Sequence, residues 1–177
     1  MFHCKYGFAV EGFLWPYLSF LKERYEERQL MTDREYMDLA IAQARLAAQR
    51  DEVPVGAVLV KGDKVIASAH NLVETLGDAT AHAEMLALRE GMRQLGWRLS
   101  DCTLYVSLEP CAMCAGAIVN ARLGKLIFGA FDERFGCCGS RVDLVTDALI
   151  YTVPTVGGIA EAECAALLSA YFQGKRG

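Results

Sequence analysis

The chain has 177 residues, 53% hydrophobic and 23% charged, the proportions of a globular protein long enough for one domain with a substantial core. Its 18 Lys and Arg against 22 Asp and Glu give a net charge of −4, which argues against non-specific coating of nucleic acid but leaves room for a compact RNA gripped by a local patch. Seven cysteines, an odd count with Cys137 and Cys138 adjacent, fit no common disulfide framework.

The N-terminal thirty residues differ from the rest. Residues 8–21 are apolar and aromatic, but Glu11 and Pro16 interrupt them. The stretch is shorter than the ~20 residues of a membrane-spanning helix. It also lacks the basic start and small-residue cleavage site of a signal peptide. The chain therefore divides into an extension over residues 1–30, non-native or disordered, and a single domain over 31–177, with Met31 as the natural start. A short helix for a membrane surface or a partner is the rival reading of the extension.

Thr32 and Glu35 have capping-box spacing, and Met37, Ala40, Ile41, Ala44 and Ala48 share one face of a helix expected over residues 32–50. A buried strand over 53–60, a tight turn at Lys61-Gly62-Asp63 and a partner strand over 64–69 read as a hairpin. A loop over 71–79 leads to Thr80, which can cap a helix holding His82 and Glu84 in its first turn. Residues 103–108 form a strand, and Pro110 stands where a helix begins, a position that tolerates its missing N–H. Further strands are expected at 125–129 and 150–153, and a last helix at 159–172. Strands alternating with helices imply an α/β fold with helices on both faces of the sheet.

His82-Ala83-Glu84, followed by Pro110-Cys111-Ala112-Met113-Cys114, carries the chemistry. His82, Cys111 and Cys114 supply three zinc ligands and leave one tetrahedral position for water, as a catalytic rather than a structural site does. This H-x-E then P-C-x-x-C pattern is the known signature of zinc nucleobase deaminases. Helix N-termini favour thiolates at Cys111 and Cys114. Zinc would bring the pKa of bound water towards about 7, and the resulting hydroxide could attack a ring carbon bearing an amino group. Glu84 would take the proton of that water, pass it to the ring nitrogen, and later protonate the leaving ammonia. Thiolate ligands need a reducing compartment, which places the chain in the cytoplasm. His70 reads as a strand-end surface residue. Cys102, Cys137, Cys138 and Cys164 read as packing or loop thiols.

Longer stretches carry a resemblance. Residues 52–60 (Glu-Val-Pro-Val-Gly-Ala-Val-Leu-Val), 69–71 (Ala-His-Asn), 81–84, 103–117, 128–130 and 163–168 match bacterial tRNA-specific adenosine deaminases, and the likeness runs from about residue 31 to 176. It implies the three-layer α/β/α cytidine-deaminase-like fold with a five-stranded mixed sheet. It also implies one zinc per subunit, a homodimer, no membrane association, and conversion of adenosine to inosine at the wobble position of an arginine tRNA. Residue by residue, it makes His82, Cys111 and Cys114 the zinc ligands and Glu84 the proton shuttle. Asn71 becomes the residue that hydrogen-bonds the flipped purine, and Leu108 a wall of the base pocket. Asp132 becomes an acidic loop residue near a neighbouring sugar. Tyr171, Phe172, Lys175 and Arg176 form an aromatic and basic end that grips the anticodon stem-loop. The chain departs from the family at Gln173-Gly174 and at residues 149–152 (Leu-Ile-Tyr-Thr), both towards the RNA side. Deamination of guanine or another free base or nucleotide remains an alternative enzyme reading. A non-catalytic zinc or RNA-binding module is the alternative from another class.

Overall fold

The structure, a computed structural model, describes residues 30–147 and 150–175; the expectations for residues 1–29, Leu149 and Arg176 lie outside them. Thr32 caps helix α1 (Asp33–Gln49) with the reciprocal Glu35 contact that the spacing predicts. The helix buries Met37, Ala40, Ile41 and Ala44 as expected, but with Ala47 in place of Ala48. Ala47 is covered because the chain turns back over it, its carbonyl accepting from the N–H groups of Arg50 and Glu52.

Strands β1 (Gly56–Lys61) and β2 (Lys64–His70) form the expected hairpin. Gly62 closes it at φ +60°, a left-handed conformation that costs glycine nothing. A single helical turn, α2 (Val73–Leu76), precedes α3 (Ala83–Leu95). Then come β3 (Cys102–Leu108), α4 (Ala112–Asn120) and β4 (Lys125–Ala130). The last elements are β5 (Thr155–Val156) and α5 (Glu161–Gly174).

The sheet runs β2-β1-β3-β4-β5. Both pairings of β1 are antiparallel, while β3–β4 and β4–β5 are parallel, so the sheet is mixed. Side chains alternate between two cores. Ala57, Leu59, Leu104, Val106, Leu126 and Phe128 pack with α3 and α4. Val58, Val60, Tyr105 and Ile127 pack with α1 and α5. The result is the expected α/β/α sandwich, and burial on both faces explains the near-continuous apolar runs of β1, β3 and β4.

Two local expectations are corrected. The fifth strand lies at Thr155–Val156 rather than 150–153, since it is Thr155 and Val156 that align with Leu126 and Ile127 of β4. Val153 is fully buried, but its N–H goes to the carbonyl of Val145 in the preceding loop. Thr80 does not cap α3: His82 is the N-cap, and both the N–H and the hydroxyl of Thr80 bond Asp78 Oδ1. Among the described residues no helix is long and apolar enough to cross a membrane.

Candidate active site

The parallel strands β3 and β4 end side by side, with Leu108 paired to Ala130. Beyond the carboxyl ends of such strands an α/β sheet opens a crevice. The N-termini of α3 and α4 bring the ligand residues together: His82 is the N-cap of α3, Cys111 is the N-cap of α4, and Cys114 lies in the first turn of α4. His82 Nδ1 sits 3.7 Å from Cys111 Sγ and 3.6 Å from Cys114 Sγ. All three donor atoms lie within 4.8 Å of one another. Tetrahedral zinc, with bonds of about 2.0–2.1 Å to nitrogen and 2.3 Å to sulfur, would hold N and S roughly 3.6 Å apart. The donor set therefore fits zinc in both chemistry and spacing. Hydrogen bonds from Cys114 and His82 hold the Cys111 thiol well below the usual thiol range, whereas its contact with Cys111 and its burial raise Cys114. Cys102, Cys137, Cys138 and Cys164 are buried and stand outside the cluster, in line with packing roles.

Glu84 lies in the first turn of α3, two residues from His82, and is 4% exposed. Burial pushes its carboxyl above the ordinary value, against the opposing pull of its own backbone N–H and of His82. Asn71 ends the β2 region, with its N–H on the carbonyl of Val55. Its side-chain amide donates from Nδ2 to Glu52 Oε2 at 3.0 Å.

His82, Glu84, Cys111, Asn71, Leu108, Asp132 and Phe172 line one cavity of about 970 Å³, so most of the expected site residues converge. Lys175 does not line it. It pairs with Asp51 at 2.6 Å, and Tyr171 donates to the Asp51 carbonyl at 2.9 Å. His70 is half-buried rather than a surface residue, its Nδ1 3.0 Å from Gln43 Oε1 and its Nε2 buried without a hydrogen-bond partner among the described residues.

Two buried carboxylates that the sequence reading gave no role shape the cavity. Glu109, 2% exposed, accepts N–H groups from Asp132, Cys138 and Ser140 and the Ser140 hydroxyl. It thus pins the loop after β4 to the end of β3. Burial works to raise its pKa, but these donors together win and lower it. Glu52, 0% exposed, plays the same part for the loop after β2. The signal available in the sequence was a carboxylate next to an apolar run, at its start before Val53-Pro54 in one case and at its end before Pro110 in the other. Asp132 caps its own turn, with Oδ1 accepting from the N–H groups of Arg134 and Phe135. Arg134 lies 5.8 Å from the Phe135 ring centre and 6.0 Å from that of Phe172, which gives the mouth an aromatic and cationic rim.

A profile of the MafB19-like deaminases matches residues 31–154. A tRNA-specific adenosine deaminase of Bacillus subtilis (strain 168) is 48% identical over 143 residues, covering 80% of this chain and 89% of that protein. A solved structure from work on A-to-I editing by tRNA:A34 deaminases at the wobble position of transfer RNA is 44% identical. It covers 75% of this chain and 98% of that one, with a TM-score of 0.72. A guanine deaminase of Bacillus subtilis is 30% identical, covering 82% of this chain and 94% of that one, with a TM-score of 0.56.

Proposed function

Since this chain belongs to the MafB19-like deaminase family, and within it to the tRNA-specific adenosine deaminases, we propose that it hydrolyses adenosine to inosine at the wobble position of an arginine tRNA. The observation that carries the reading is a buried carboxylate, Glu84, two residues along the chain from a His–Cys–Cys cluster of tetrahedral spacing, both at one nucleotide-sized cavity.

His82, Cys111 and Cys114 would hold one zinc per subunit. When bound, zinc supplies a nucleophile at neutral pH by lowering the pKa of water. The rest of the work belongs to the chain. Glu84 takes a proton from the attacking water and delivers it to the ring nitrogen next to C6, then takes the remaining proton of the hydroxyl added at C6 and gives it to the departing amine, so that adenosine and water give inosine and ammonia. Its burial keeps that proton from bulk solvent. Asn71 offers an amide to the purine edge, and Leu108 walls the base. Asp132, Phe172, Lys175 and Arg176 are proposed contacts of the anticodon stem-loop. The protein would act as a homodimer, in a reducing cytosol that preserves its thiolates.

Purified, zinc-loaded protein incubated with an arginine-tRNA anticodon stem-loop should give A-to-G changes at the wobble position when the cDNA is sequenced. Glu84→Ala should abolish the change, by at least about a hundredfold, while keeping zinc. No conversion, but release of ammonia from free guanine, would move the assignment to a free-base deaminase. A biological role that survives Glu84→Ala would point to a non-catalytic module.

A further inference from the structure

Glu52 is a fully buried carboxylate satisfied not by a cation but by three N–H donors: Asn71 Nδ2 at 3.0 Å, Glu74 N at 3.2 Å and Thr75 N at 2.6 Å. An ionised carboxylate only accepts. It therefore selects the nitrogen end of the Asn71 amide and leaves Oδ1 as the end not bound to it. The two ends of an asparagine amide have nearly the same shape, so an unheld side chain can turn over. A purine edge is read by an amide in one order of donor and acceptor and not in the reverse.

We propose that Glu52 is a positioning residue for the deamination, its buried carboxylate holding the Asn71 amide in the single orientation that meets the base. The proposal rests on the deaminase reading above and deepens it. The turn that carries Glu52 is itself tied down. Glu52 N donates to the Ala47 carbonyl at the end of α1. Its neighbour Asp51, at φ +62°, receives Tyr171 of α5 and Lys175, which caps the end of that helix. Tyr171 and Lys175 thereby brace the base-orienting apparatus, a use distinct from gripping RNA.

Four proteins test it: wild type, Glu52→Gln, Asn71→Ala and the double variant, each assayed for kcat and KM on the stem-loop. Gln at position 52 replaces one acceptor oxygen by an NH2 group facing N–H donors. Glu52→Gln is expected to lower kcat by ten- to a hundredfold, the order lost when a reacting group is misplaced by about 1 Å. In the Asn71→Ala background the same change should cost less than about twofold, because the residue it acts through is gone. Equal losses in both backgrounds overturn the proposal. Inactivity of the wild type on RNA sinks the deaminase reading instead, and a second measurement then judges Glu52 without turnover or a folded variant. In 1H–15N spectra of the wild-type protein, one Asn71 side-chain amide proton should exchange slowly with solvent; fast exchange of both overturns the proposal.

Discussion

His70 shows how one residue can set a pH response. Its Nδ1 meets Gln43, while Nε2 is buried with no hydrogen-bond partner among the described residues. Charging the ring would put a proton on that buried atom, so the neutral form suits the fold. Burial lowers the His70 pKa, Arg50 lowers it further, and Glu52 opposes them. A group depressed on folding contributes stability that is fully present above its unfolded pKa, about 6.5 for histidine, and is lost as pH falls through the folded value. The wild-type protein should therefore lose stability on going from pH 7.5 to pH 5.5 by more than a His70→Gln variant does, read by urea unfolding at each pH. Identical losses would remove His70 from the account. The sequence suggested a surface histidine because alternation along β2 says which face a residue takes, not how far a neighbouring helix covers the strand end. Gln43 of α1 is what covers it.

Between elements, β1 and α1 approach each other closely at Gly56. A Cβ on Gly56 would stand 2.1 Å from the Ala40 carbonyl oxygen and 2.5 Å from the Ala44 nitrogen, both main-chain atoms that cannot swing aside. Gly56→Ala should destabilise the protein by about 3 kcal/mol in chemical denaturation, the upper range for overpacking; a loss under about 1 kcal/mol would mean that helix and strand can part. Elements with a strong local period or a specific cap were legible in the sequence: the α1 face from Met37 to Ala44, the Thr32–Glu35 box and the Gly62 hairpin. The pairs His82–Glu84 and Cys111–Cys114 were legible too, because short spacings at a helix N-terminus fix local geometry; the meeting of the two pairs, 29 and 32 positions apart along the chain, is the work of the sheet between them. Thr155–Val156 was not, since a two-residue parallel strand is defined by its partner β4 rather than by its own pattern. Nor were the roles of Glu52 and Glu109, whose donors lie 19–31 positions away along the chain.

At the scale of the whole molecule, the net charge of −4 is repeated at the cavity mouth. Glu74, Asp132, Glu133 and Glu161 line it, against a single cation among the described residues, Arg134. Lys175 is neutralised by Asp51. Phosphates gain little from such a rim, whereas bases can stack on it, because Phe131 and Phe135 are 48% and 65% exposed and Phe172 joins them at the cavity wall. If the substrate is an anticodon loop, recognition should come from splayed bases more than from backbone charge. Each phosphate neutralised on a single strand adds about −0.7 to the slope of log K against log salt, so one or two contacts predict a slope no steeper than about −1.4. Fluorescence anisotropy with a labelled stem-loop and the Glu84→Ala protein, over a series of KCl concentrations, measures it. In the same assay Phe135→Ala and Phe172→Ala should each weaken binding by about 1–3 kcal/mol at every salt concentration, leaving the slope unchanged. A steep slope with indifferent aromatic variants would show that the RNA lies on a basic surface away from this rim, and that the cavity receives the target base alone.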